Sequence, residues 1–185
     1  MTPAYEILSD TYRLGEDDFD CRVLREPQSK AVSWCGQDVP DIRSAVLVGD
    51  TARLDQVDFP ANQLGWPIAS ARLWIALGRP GVPFAVTART EQEGPEVLVG
   101  RFVVFHLAPV KGLMDLEASV WDEDSVFPGE VGLIRELRFT AGAALPAVFR
   151  LYEAPGRLFV SRRRRIRLLD VPCVGVRFAP VPAAG

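Results

Sequence analysis

At 185 residues and 48% hydrophobic, the chain can bury a core, which argues against global disorder. No apolar run nears the roughly 20 residues that span a bilayer, and one histidine with three cysteines outside C-x-x-C spacing argues against a zinc site. The net charge of −3 hides a polarity: residues 1–60 carry 12 acids and 6 bases, whereas residues 131–185 carry 3 acids and 10 bases.

The first residues, Met1 to Asp20, are acidic and broken by Pro3, Ser9 and Gly15. They lack the basic start and apolar centre of a signal peptide, so a cytoplasmic location is the expectation. Tyr5–Leu8 and Cys21–Leu24 read as short strands around the acidic loop Glu16-Asp17-Asp18-Phe19-Asp20, and Ala45–Val48 as another. Asn62 to Pro67 reads as a turn that leads into an apolar run ending at Ser70. After Ser70 the apolar spacing changes to three and four, at Leu73, Trp74 and Leu77, then breaks at Gly78–Gly81 before Val82–Val86. This is a strand–helix–strand unit, with Ser70 as helix N-cap because its hydroxyl can accept an orphan N–H of the first turn.

Polar Glu91–Glu96 is the best candidate boundary, so the expectation is one domain over 1–185, or two lobes at about 1–92 and 96–185. Val97–Leu107 carries the longest strand signal. Leu113–Trp121 alternates polar and apolar residues, which predicts a half-buried antiparallel strand with Asp115 and Glu117 on one face. Asp122-Glu123-Asp124-Ser125 reads as a loop, and Ile134–Thr140 and Val148–Tyr152 as strands. A second strand–helix–strand unit then follows, 91 positions after the first: Leu158–Ser161, with Ser161 as N-cap, Arg162–Leu169, and Val174–Phe178. Its helix should face Ile166 and Leu169 to the core. The predicted class is α+β, mainly antiparallel β-sheet with a few short helices, built around a duplicated strand–helix–strand unit.

Catalytic and cofactor signatures are missing. There is no phosphate-binding glycine loop and no G-x-S-x-G elbow, and His106 ends an apolar strand without a nucleophile beside it. The reading is therefore a non-enzyme without cofactor or metal. Asp115, Glu117, Asp122, Glu123 and Asp124 form the densest acidic cluster. It suits a solvated edge, a hard cation, or a basic partner, and the charge polarity favours the partner over the metal. Arg162–Arg165 with Arg167 suits phosphates or an acidic patch. It equally suits a solvated helix face, and the lack of interleaved aromatics weighs against single-stranded nucleic acid.

One resemblance spans roughly residues 5–181. Asn62-Gln63-Leu64-Gly65-Trp66-Pro67-Ile68-Ala69-Ser70-Ala71-Arg72-Leu73 resembles the Asn-x-x-Gly-Trp-Pro-Val-Ser-Glu-Arg-Leu motif of a bacterial family of polymorphic-toxin immunity proteins, immunity protein family eleven, formerly a domain of unknown function. Asp115, Glu117 and Ser119 look like its Leu-Asp-x-Glu-x-Ser strand. Phe149-Arg150-Leu151, Val160-Ser161 and Gly175-Val176-Arg177-Phe178-Ala179-Pro180 look like its C-terminal series. The chain departs from the pattern at Ala71 and Arg162, where the family has glutamate after the serine. The resemblance implies a protein that binds a cognate toxin domain, encoded beside it and in some cases a nuclease, and blocks it stoichiometrically. Nuclease surfaces that hold phosphate are basic, so the expected toxin-binding residues are Asp115, Glu117, Asp122, Glu123 and Asp124, or the N-terminal acids, with Trp66 and Trp34 as aromatic anchors. No membrane is expected as a partner, and nucleic acid only in the alternative, a nucleic-acid-binding or regulatory module that uses Arg162–Arg167.

Overall fold

The computed structural model describes residues 3–9, 54, 57–62, 66–83, 102–125 and 130–185, and the backbone alone of 22–24, 45–48, 84 and 86–89. The strands are β1 (Ala4–Ser9), β2 (Arg22–Leu24), β3 (Ala45–Val48), β4 (Ile68–Ser70), β5 (Val82–Phe84), β6 (Val86–Arg89), β7 (Phe102–His106), β8 (Val120–Glu123), β9 (Val131–Glu136), β10 (Val148–Phe149), β11 (Leu158–Ser161) and β12 (Val176–Val181). The helices α1 (Ala71–Ala76) and α2 (Arg162–Leu168) follow β4 and β11 directly. The sheets run in the orders β10-β11-β1-β12, β2-β3-β6, β4-β7-β5 and β8-β9. Among the described residues the paired strands are antiparallel except β3 with β6. The fold is α+β and dominated by antiparallel sheet. Trp34, the acids Glu16 to Asp20 and the boundary expected at Glu91–Glu96 lie outside the described residues.

The duplication is visible in the pairing. β4 and β5 flank β7, with Ser70 opposite Phe102, the first residue of β7. β11 and β12 flank β1, with Ser161 opposite Ala4, the first residue of β1. Each unit thus wraps its two strands around a third that it does not contain. The first takes that strand from downstream and the second from the N-terminus of the chain. The register also corrects the sequence alignment of the copies. Val82 faces His106, four places after Phe102, and Arg177 faces Leu8, four places after Ala4. Arg177 is therefore the equivalent of Val82, an offset of 177 − 82 = 95 rather than 91. The second copy holds four extra residues (95 − 91) after its helix, and β12 starts at Val176 instead of Val174.

Two cores lie on the two faces of the β1 sheet, as period-two alternation requires. Ile7, Leu158 and Val160 pack with Ala69, Leu73, Leu77, Phe105 and Leu168, so both helices share one core. Ala4, Phe149, Phe159 and Val181 pack on the other face with Met114, Phe139 and Leu151. There the rings of Phe139, Phe149 and Phe159 meet at centroid distances of 5.5–5.7 Å, two edge-on and one stacked.

The helical phase of α2 differs from the expectation. Leu168 is buried, whereas Ile166 and Leu169 are 53% and 61% exposed. The two helices are aligned at the offset of 91: Leu77 and Leu168 are both buried, and Ile75 and Ile166 are 54% and 53% exposed. Arg164 and Arg165 then occupy the inward positions of Leu73 and Trp74. An arginine can do so because its stem is apolar and only its head needs polar or aromatic company. Arg165 lies over the ring of Tyr5 at 4.4 Å and near that of Phe178 at 5.9 Å. Arg164 Nη1 donates to the Ala76 carbonyl at the C-terminal end of α1, at 3.5 Å.

Candidate functional site

Three polar constellations are built on this frame. The first is a clasp around Asp58, which is 1% exposed. Its carboxylate accepts from the Ser70 hydroxyl, from Arg72 Nε at 3.1 Å and Nη2, and from the Val174 N–H at 2.7 Å. Its backbone completes two further links: Asp58 N–H donates to Val174 O, and Ser70 N–H donates to Asp58 O, both at 2.8 Å. Ser70 is at the same time the N-cap of α1 and accepts from Leu73 N–H at 3.1 Å. Burial pushes the Asp58 carboxyl up, but the bonds from Arg72, Ser70 and Val174 together outweigh it and hold the group below its ordinary 3.8. Hydrogen bonding to Asp58 raises Arg72. Burial, then the nearby Asp58 charge, push the Cys173 thiol up. Val174 belongs to the segment that the second copy has in excess, so the added residues are what reach the first copy's helix cap.

The second constellation is a cleft of about 130 Å³ whose polar wall is Glu6, Ser9, Asn62, Trp66, Arg150 and Arg157. Glu6 stands on β1 opposite Phe159, and Arg157 precedes β11. Arg157 Nε donates to Glu6 Oε1 at 2.8 Å while Nη2 takes Oε2, a two-point pairing that fixes the guanidinium plane. The Asn62 carboxamide is tied to Trp66, accepting from Trp66 N–H and donating to Trp66 O, each at 2.9 Å. Arg150 is 2% exposed. Burial, then the positive charge of Arg150, push His106 below its ordinary 6.5.

The expected toxin-binding residues divide. Trp66 is buried at the cleft, and none of the five acids lines it. Asp115 and Glu117 do not share a strand face, because residues 116–118 form a turn. Asp115 sets that turn: its Oδ1 accepts from Ala118 N–H at 2.9 Å and its backbone O from Ser119 N–H at 3.0 Å. A short carboxylate that can satisfy the backbone three residues ahead competes with extended pairing. Met114 still bridges Phe139, and Ser119 Oγ accepts from Arg138 N–H at 3.0 Å. Beyond the turn, Asp122 and Glu123 are exposed on β8. Asp122 Oδ2 accepts from Arg135 Nε and Nη2 across the hairpin, at 3.0 and 2.8 Å. Asp124 N–H donates to Glu130 O at 2.9 Å. Glu117, Asp122, Glu123, Glu130 and Glu136 are exposed together with Leu116, Val120 and Leu133, while Trp121, Val131 and Ile134 pack inward. Turn and hairpin therefore present an acidic surface with apolar side chains between the charges.

The third constellation is the arginine run. With Arg164 and Arg165 turned inward, Arg162, Arg163 and Arg167 are exposed. Ser161 is the N-cap, accepting from Arg164 N–H at 3.4 Å. Among the described residues no group of three or more His, Cys, Asp or Glu is placed to hold a metal, and no helix is long and apolar enough to cross a membrane.

Sequence reasoning passed over Asp58, the Glu6–Arg157 pair and the Asp122–Arg135 pair. The two pairs join segments brought together only by sheet pairing, and Asp58 sits outside the strands, far in sequence from Val174. Compared with models of protein families and with curated proteins, the chain matches none.

Proposed function

We propose that this protein is an immunity protein: a stoichiometric inhibitor that binds a cognate bacterial toxin domain in the cytoplasm and neutralises it without catalysis. The observation that carries the reading is the surface formed by the 116–118 turn and the β8–β9 hairpin. Exposed Leu116, Val120 and Leu133 stand there among Glu117, Glu123, Glu130 and Glu136, while Asp122 is paired with exposed Arg135, which leaves the surface with an excess of acid. Apolar side chains supply the desolvated contact of an interface, and a surrounding excess of one charge speeds encounter with a partner of the other. A nuclease domain, basic where it grips phosphate, is such a partner. The motif around Trp66 contributes by holding the fold, since that residue is buried.

The test is rescue. The C-terminal domain of a toxin candidate encoded beside this protein is induced in a bacterium, with and without this protein. Expected are survival and a 1:1 complex on co-purification. The variant Glu117→Lys with Glu136→Lys should bind at least about tenfold more weakly at low salt, through a slower on-rate, with its melting temperature unchanged. Toxicity that persists beside abundant, folded protein would overturn the reading for that pair. Rescue with undiminished affinity in the variant would move the interface off the hairpin.

A further inference from the structure

We infer that a recess at the side of α2, between its exposed arginines and inward-turned Arg164, is an anion site for a dianionic phosphoryl group, either free phosphate or the phosphate monoester of a small molecule. The site is a recess of about 250 Å³ lined by Ala147, Ser161, Arg163, Arg164 and Arg167. It lies on a different element from the acidic hairpin and does not depend on the immunity reading.

Positions three and four apart share a helix face, so Arg163, Arg164 and Arg167 bring three guanidinium groups to one side of α2. Like charges at this spacing repel, and a chain ordinarily relieves them with a carboxylate. Elsewhere this chain does so: Arg72 pairs with Asp58, Arg135 with Asp122 and Arg157 with Glu6. Among the described residues no carboxylate pairs with Arg163, Arg164 or Arg167. Arg164 is also held in place. Its Nη1 donates to Ala76 O, and its guanidinium lies so close over Gly78 that a Cβ there would come within 2.9 Å of Nη2. The Ser161 hydroxyl accepts from Arg164 N–H, which leaves its own proton to donate.

A recess lined by donors calls for a ligand made of acceptors. A carboxylate brings one charge and two oxygens. A phosphate monoester brings nearly two charges and three terminal oxygens, which matches three guanidinium groups better. The recess is smaller than the roughly 300–1,000 Å³ of a drug-sized pocket, so it takes the phosphoryl group with a short attachment and no more. No aromatic side chain lines it, and polynucleotide binding leans on stacking platforms. A single compact phosphate group is therefore favoured over a nucleic-acid tract.

The test uses the full chain and thermal unfolding in inorganic phosphate, in glycerol phosphate, and in sodium chloride at matched ionic strength. At about ten times the dissociation constant, a bound ligand should raise the melting temperature by about 3–6 °C. The variant Arg163→Gln with Arg167→Gln should lose that shift while its unliganded melting temperature stays equal or rises, since the change relieves repulsion on an exposed face. A larger shift with glycerol phosphate than with inorganic phosphate identifies an ester as the ligand, and equal shifts identify free phosphate. Chloride reproducing the wild-type shift, or the variant keeping it, would overturn the site. Binding of a labelled duplex that the variant loses, with no shift in either phosphate, would overturn it in favour of nucleic acid.

Discussion

Asp58 and Val174 hold each other by reciprocal hydrogen bonds: Asp58 N–H donates to Val174 O at 2.8 Å, and Val174 N–H donates to the Asp58 carboxylate at 2.7 Å. The same carboxylate serves Ser70 and Arg72. Its removal in Asp58→Ala leaves a buried hydroxyl and a backbone N–H without their acceptor, at a cost of about 3 kcal/mol. Arg72→Ala should cost about 1 kcal/mol or less, because the Arg72 side chain is 50% exposed and its ion pair is screened. Urea unfolding midpoints at neutral pH measure both. Equal losses would show that the ion pair, and not the buried hydrogen bonds, holds the clasp.

The two N-caps separate local from tertiary effects. Both serines accept an N–H of their helix, but Ser70 also donates to buried Asp58, whereas Ser161 is partly exposed. Ser161→Ala should cost about 1 kcal/mol, the usual value of a cap, and Ser70→Ala about 2 kcal/mol, near the top of the range. Combining Ser70→Ala with Asp58→Ala should cost clearly less than the sum, since both changes break one bond. Additive losses would mean that the two residues stabilise the fold separately.

These two sites also mark what was legible in the chain. The repeat could be read because a serine before a helix and a period change from two to three-and-four are local patterns. The strand at Leu113–Trp121 could not, because Asp115 satisfies Ala118 N–H through its side chain and alternation alone does not register that competitor. Nor could the facing of α2. An arginine-rich helix gives no apolar stripe, and the inward role of Arg165 depends on Tyr5, 160 positions earlier. Of the candidate site, the acids on the hairpin were legible as a cluster. Arg135, the partner of Asp122, was not, because hairpin register with two irregularities set that pairing.

Acid should weaken the fold in two windows. His106 sits below its ordinary 6.5 in the folded chain, so the unfolded chain takes up the proton first. Its contribution is complete above 6.5 and is lost as pH falls from there toward the folded value. Asp58 sits below its ordinary 3.8, so its contribution is complete above 3.8 and is lost as pH falls through the folded value. His106→Gln should flatten the stability profile as pH falls below about 6.5, and Asp58→Asn should flatten it below about pH 4. Chemical denaturation across pH reads each slope. A His106→Gln profile parallel to the wild type would mean that His106 protonates alike in both states.

Arg165 is the arginine of the run that the fold uses most. Arg165→Ala removes a cation from the faces of Tyr5 and Phe178 and the stem that packs beside them. The expected loss is about 1–2 kcal/mol. Arg163→Ala, on an exposed position, should lie within about 0.5 kcal/mol of the wild type. Comparable losses from both would mean that net charge, not stacking, sets the contribution of this helix.

The N-terminal strand makes the strongest claim on the fold. β1 is an inner strand of its sheet, pairing over four positions with β11 and six with β12. It therefore completes the second copy just as β7 completes the first. Removing residues 1–9 leaves β11 and β12 without the strand between them and opens the shared core at Ile7. Both copies should then lose amide protection together in hydrogen exchange, because Leu168 packs with Leu73 and Leu77, and Val174 is bound to Asp58. A peptide of residues 1–9 added in excess should restore protection in β11 and β12. If β4 and β7 keep full protection in the truncated chain, the clasp does not couple the two copies.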